Sequence, residues 1–198
     1  MSEESISHLV ARIGADLQEL EKRITPDEAK KHKVRFPRGV LRTAQNFRSR
    51  FWFIHDGNLK RNIAYTLILS DFYRWILNRT DLNGIAQEMM IKEGVCLVGS
   101  VCESVTRDAM HTICPKQTGY KKRTAKMVEL GIITPDLQKH LDTLWDHRNG
   151  EHLFMLTEWE LGKYKLRDYN VAILTLRALR DALDTHFKAQ AGAAECEF

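Results

Sequence analysis

Apolar residues return every third or fourth position through several long stretches of this chain, a spacing that one face of an α-helix satisfies and a strand does not. The stripes are Ile6, Leu9, Ile13, Leu17, Leu20 and Ile24, then Leu59, Ile63, Leu67, Phe72, Trp75 and Ile76, and near the end Tyr169, Ile173, Leu176, Leu179, Leu183 and Phe187. A shorter stripe, Leu137, Leu141, Leu144 and Trp145, follows Thr134-Pro135-Asp136, a cap with proline in the first turn. No segment alternates apolar and polar residues as a half-buried strand would. The expectation is an all-α fold, an antiparallel bundle of four to five helices with an N-terminal helical extension.

Residues 85–113 supply the central helix of that bundle. Their middle, VCLVGSVCESV, is apolar on most sides, and Gly94, Gly99 and Ser100 allow neighbouring helices to come close. Cys96 and Cys102 on this helix read as small hydrophobes. A polar loop over 115–124, a short helix ended by Gly131 and a helix from Pro135 to about Arg148 follow. With 198 residues and 43% hydrophobic content the chain can bury one core. The expected organisation is a helix and connector over 1–57, the bundle over 58–190 and a flexible tail over 191–198. Four irregularly spaced cysteines exclude a disulfide scaffold and suit a reducing, cytoplasmic setting. An acidic beginning without a signal pattern, and no long apolar window, argue against a membrane.

The net charge is only +4, but its distribution is uneven. Between Lys30 and Arg61 stand ten basic residues against one acid, Asp56, interleaved with Phe36, Phe47, Phe51, Trp52 and Phe53. Cations mixed with flat rings suit a phosphate backbone and its bases, which makes Arg35, Arg38, Arg42, Arg48 and Arg50 candidate RNA contacts, together with Lys121, Lys122 and Arg123. The competing reading is a solvated basic linker whose aromatics dock on the core.

The densest polar cluster is LWDHRNGEHLF, residues 144–154, at the end of a predicted helix. If the helix continues through Gly150, Arg148 and His152 share a face at i and i+4; if Gly150 caps it, His152 folds back over the last turn. A guanidinium forks two donors onto a phosphate, and an imidazole exchanges a proton near neutral pH. The two suffice for metal-free cleavage of RNA, in which the 2′-hydroxyl attacks its own phosphodiester. His147 and Glu151 flank the pair as supporting residues. Glu103, if buried against Arg148 or His152, supports it from the central helix; otherwise it forms a surface ion pair with Arg107. Two plainer readings stay open: Arg148 pairs with Asp142 or Glu151 to stabilise the helix end while His152 packs in the core, or His147, Glu151 and His152 bind metal, although their spacing fits no usual zinc site. Trp75, Trp145 and Trp159 read as core or interface anchors.

The order of elements, from the long glycine-containing helix with Glu103 through the short helix ending in Gly-Ile-Ile to the capped helix, Arg-Asn-Gly-Glu-His and a last amphipathic helix, resembles the HEPN superfamily over about residues 58–190. That resemblance implies an all-α bundle, often dimeric, and a metal-independent endoribonuclease of a toxin, antiphage or RNA-processing system. Arg148 then matches the motif's arginine, Asn149 the polar residue after it and His152 its histidine, with three intervening residues where four to six are usual. It implies RNA as substrate, a homodimer that brings two Arg/His pairs to one cleft, an inhibitory partner protein, and neither cofactor nor metal.

Overall fold

A computed structural model describes residues 4–149 and 162–195, with side chains to 192. It divides into two units, residues 1–38 and 39–198. Every regular element among the described residues is a helix.

In the first unit, Ser5 accepts a hydrogen bond from the His8 backbone N–H and starts α1 (Ile6–Arg23). Thr25 and Glu28 then close a capping box at the start of α2 (Pro26–Lys31), so Thr25-Pro26 both ends one helix and begins the next. Neither helix buries a residue. The apolar stripe of α1, expected to find either its own core or a second copy, is exposed from Ile6 to Leu20.

The second unit comprises α3 (Ala44–Arg50), α4 (Gly57–Arg79), α5 (Gly84–Ala109), α6 (Tyr120–Glu129), α7 (Pro135–Asn149) and α8 (Leu166–Glu195). As the composition of its middle predicts, α5 is central and packs against α4, α6, α7 and α8. Its small residues set the distances. A Cβ on Gly94 would lie 2.6 Å from the Tyr169 ring of α8, and one on Gly99 would lie 3.0 Å from Arg148 Cβ of α7. Tyr169 closes the first contact by hydrogen bonds to the hydroxyl and carbonyl of Ser70 on α4, at 2.7 and 2.9 Å. Burial pushes the Tyr169 hydroxyl up to about 12, against the opposing pull of the Ser70 hydrogen bond and the Arg74 charge. Cys96 and Cys102 are buried as small hydrophobes, and burial pushes the Cys102 thiol well above its usual range.

Three expectations need correction. Residues 39–57 are not a connector, and the second unit begins at residue 39 rather than near 58. Phe47, Phe51, Phe53 and Ile54 belong to the core, because burying three rings and an isoleucine outweighs solvating the arginines between them. The loop expected over 115–124 becomes helix from Tyr120 onward, since Tyr120, Arg123 and Thr124 are all buried. Finally, α8 continues to Glu195, into the segment expected to be a tail.

Candidate functional site

Thr134 accepts from the Leu137 N–H at 3.2 Å and starts α7, with Pro135 in its first position, and α7 carries its polar residues to Asn149. Because Gly99 lacks a side chain, the last turn of α7 lies close against α5. That contact brings Arg148 Nη2 within 3.3 Å of Glu103 Oε2. The guanidinium also lies over the Trp145 ring, 5.1 Å from its centroid, and Nη1 donates to Asn149 Oδ1 at 3.4 Å. Trp145 in turn stacks on Tyr120 of α6 at 4.7 Å with the rings 10° from parallel. Arg148 is thus held by a carboxylate on one helix and an aromatic face on its own, while about a third of its side chain (32%) stays open to solvent.

Of the described partners the sequence offered Arg148, Glu103 is the one it meets. Asp142 is engaged elsewhere, accepting from Thr124 Oγ1 at 2.8 Å. Glu103 pairs with Arg148 and not with Arg107. Beneath the pair, Arg123 is 5% exposed, donates to the Thr118 carbonyl at 3.0 Å and to Thr106 Oγ1 at 3.3 Å, and lies over the Tyr120 ring. Burial lowers the Arg123 pKa, and Glu103 pulls against that shift. Arg123 is therefore a structural cation, and its expected role as an RNA contact is corrected. Burial, followed by the charges of Cys102 and Asp142, drives the Tyr120 hydroxyl far above its ordinary value. Its oxygen is buried without a hydrogen-bond partner among the described residues.

Other predicted residues scatter. His147 turns to a different side of α7, its ring 6.0 Å from Tyr164, and lines a cavity with His140 and Asp168, so it does not flank Arg148. Lys121 pairs with Asp146 at 2.7 Å and Lys122 is exposed. Arg35 and Arg38 are exposed in the first unit, whereas Arg42, Arg48 and Arg50 belong to the second. Arg42 donates from Nε to Asp71 Oδ2 at 2.8 Å and lies 4.5 Å over the Phe47 ring. Arg48 donates to Gln45 at 2.7 Å, and Arg50 is exposed. Glu151, His152 and Trp159 lie outside the described residues.

One constellation escaped the sequence reading. Asp108 on α5, its side chain 7% exposed, accepts from the backbone N–H of His55 at 2.9 Å and lies 3.2 Å from His55 Nδ1. The His111 ring lies 4.7 Å from that of His55, and its Nδ1 donates to the Asp108 carbonyl at 2.7 Å. A carboxylate holding one imidazole by Nδ1 leaves Nε2 free to exchange a proton. His111 and Asp108 line a cavity of about 500 Å³ together with Arg107 and Lys116. The i, i+3 spacing of Asp108 and His111 was visible; the approach of His55 from 53 residues away was not.

Among the described residues no three His, Cys, Asp or Glu side chains gather to hold a metal ion, and no helix is long and apolar enough to cross a membrane. No family model, curated protein or solved structure matches this chain.

Proposed function

We propose that this chain is a metal-independent RNA endonuclease in which Arg148 stabilises the transition state and His152, four residues on, moves the proton. The observation that carries this reading is the Arg148 guanidinium, oriented by Glu103 and Trp145 yet partly open to solvent. A fixed, accessible fork of donors matches the oxygens of a phosphodiester and loses little on binding. The 2′-hydroxyl gives up its proton as its oxygen bonds to phosphorus, Arg148 offsets the charge of the phosphorane, and the phosphorus–5′-oxygen bond breaks as that oxygen gains a proton. The products are a 2′,3′-cyclic phosphate and a 5′-hydroxyl end. The resemblance to HEPN domains supports a homodimer with a shared cleft, a toxin or defence role in the cytoplasm, and an inhibitory partner protein.

Incubating the purified chain with RNA in excess chelator tests this reading. Cleavage leaving cyclic phosphate ends, abolished in Arg148→Ala and His152→Ala, is the expected result. Absence of cleavage of any RNA, or activity surviving His152→Ala, overturns it.

A second reading is favoured by the same ion pair. Glu103 already offsets the charge of Arg148, as befits a contact that joins α5 to α7 in a non-catalytic module binding RNA, a nucleotide or a protein. Salt-sensitive RNA binding without scission would distinguish it.

A further inference from the structure

Folding the 39–57 segment onto the bundle gathers arginines that are far apart in sequence. A cavity of about 380 Å³ is lined by Arg42 before α3, Arg74 and Arg79 on α4 and Arg177 on α8. Arg42 and Arg177 also line an adjoining cleft with Arg50 and Arg180. The acids facing this array are few. Asp71 is taken by Arg42, and Asp181 lies beside Arg180 at the far side. Arg50, Arg74, Arg79 and Arg177 have no carboxylate partner among the described residues. Arg74 Nε is buried with no hydrogen-bond partner among the described residues. Burial lowers the pKa of Arg177, and the charges of Arg74, Arg42, Arg180 and Arg50 lower it further.

Like charges crowded around one concavity raise the energy of the empty site and favour whatever neutralises them. The geometry points to a binding site for a nucleoside polyphosphate, its phosphates received by Arg42, Arg74, Arg79 and Arg177. Guanidinium forks suit phosphate oxygens, and the volume falls in the range of nucleotide-sized ligands. Trp75 and Asn78 line the same cavity; Asn78 Nδ2 donates to the Arg74 carbonyl at 2.6 Å, which leaves its Oδ1 to accept from a base. Four of the cations line this one concavity, so a compact polyanion can meet all four at once, whereas an extended strand would also run along the adjoining cleft. This site lies on α4 and α8, away from the Arg148 contact of α5 with α7, and does not depend on the endonuclease reading.

Titrating the full chain calorimetrically with ATP, tripolyphosphate and adenosine tests the assignment. ATP and tripolyphosphate bind and raise the melting temperature, ATP the more tightly, while adenosine does neither. Replacing exposed Arg79 and Arg177 together by Ala weakens ATP binding about tenfold or more, since each removes a charge-assisted contact. Arg74→Ala weakens it likewise, and Lys139→Ala, an exposed cation of α7, leaves it unchanged. Three results would each overturn the site: no response to tripolyphosphate at millimolar concentration, equal losses in Lys139→Ala and the double variant, or a single-stranded oligonucleotide engaging these arginines where ATP does not. Because Arg79 and Arg177 are both exposed, their double variant keeps the test valid if Arg74→Ala fails to fold.

Discussion

Arg148 and Arg177 carry the same charge in opposite company. Arg148 has a carboxylate 3.3 Å away and a tryptophan ring beneath it, whereas Arg177 is surrounded by further arginines. The first arrangement fixes a direction; the second accumulates charge. An oriented, partly neutralised guanidinium is suited to a developing charge at one point, and a cluster whose cations outnumber the acids beside them to an anion that already carries several. The two regions also lie on different helix contacts, α5 with α7 and α4 with α8, so each can be perturbed without the other.

The largest expected effect is on the oriented cation. Arg148→Ala lowers RNA cleavage by about a hundredfold or more, as loss of a transition-state donor does, while calorimetric binding of tripolyphosphate is unaltered; parallel loss of both would merge the two regions into one. Glu103→Gln leaves Arg148 charged but unaimed, and lowers kcat about tenfold to a hundredfold with little change in KM. Glu103→Asp recovers part of that loss if positioning is its role, and steady-state kinetics on the three proteins reads the difference.

Gly99→Val forces a side chain into the space held by Arg148 Cβ and the Leu144 carbonyl, at 3.0 and 3.2 Å. It should cost about 1–3 kcal/mol in denaturant unfolding and reduce cleavage beyond what stability explains. A smaller effect separates the other region: at low ionic strength Arg177→Gln relieves like-charge repulsion and raises stability by a few tenths of a kcal/mol, an increment that about 0.5 M salt erases. Smallest is an alkaline effect at Tyr169. Its folded pKa, about 12, lies above the ordinary tyrosine value of 10.0. Stability from this group is therefore complete below pH 10 and is lost as pH rises toward 12. Thermal melts between pH 9 and 12 should fall less steeply for Tyr169→Phe, although that variant starts lower for want of the Ser70 hydrogen bonds.

Much of the fold was legible in the sequence and less of the site. Periodicity placed α4, α5, α7 and most of α8, and Thr134-Pro135 marked the start of α7. Gly94 and Gly99 announced a close approach without saying to what. At 39–57 the docking of the aromatics on the core was one of the two readings the sequence offered, and it holds for Phe47, Phe51 and Phe53; what irregular spacing hid is that the segment is part of the folded unit. Glu103 was recognised as a candidate partner of Arg148, and between it and Asp142 distance alone decided. Arg123 looked like its neighbours Lys121 and Lys122, yet one turn of helix carries it under Tyr120 instead of into solvent.

By itself the sequence determined which stretches are helical and which faces are apolar, because backbone hydrogen bonding and side-chain periodicity act within a few residues. Tertiary structure decided which charges meet. The pairing of Arg148 with Glu103, the hold of Asp108 on His55 and the gathering of arginines from three parts of the chain all depend on how helices cross. Crossing is set by the summed packing of the core, and no local run of residues encodes that sum.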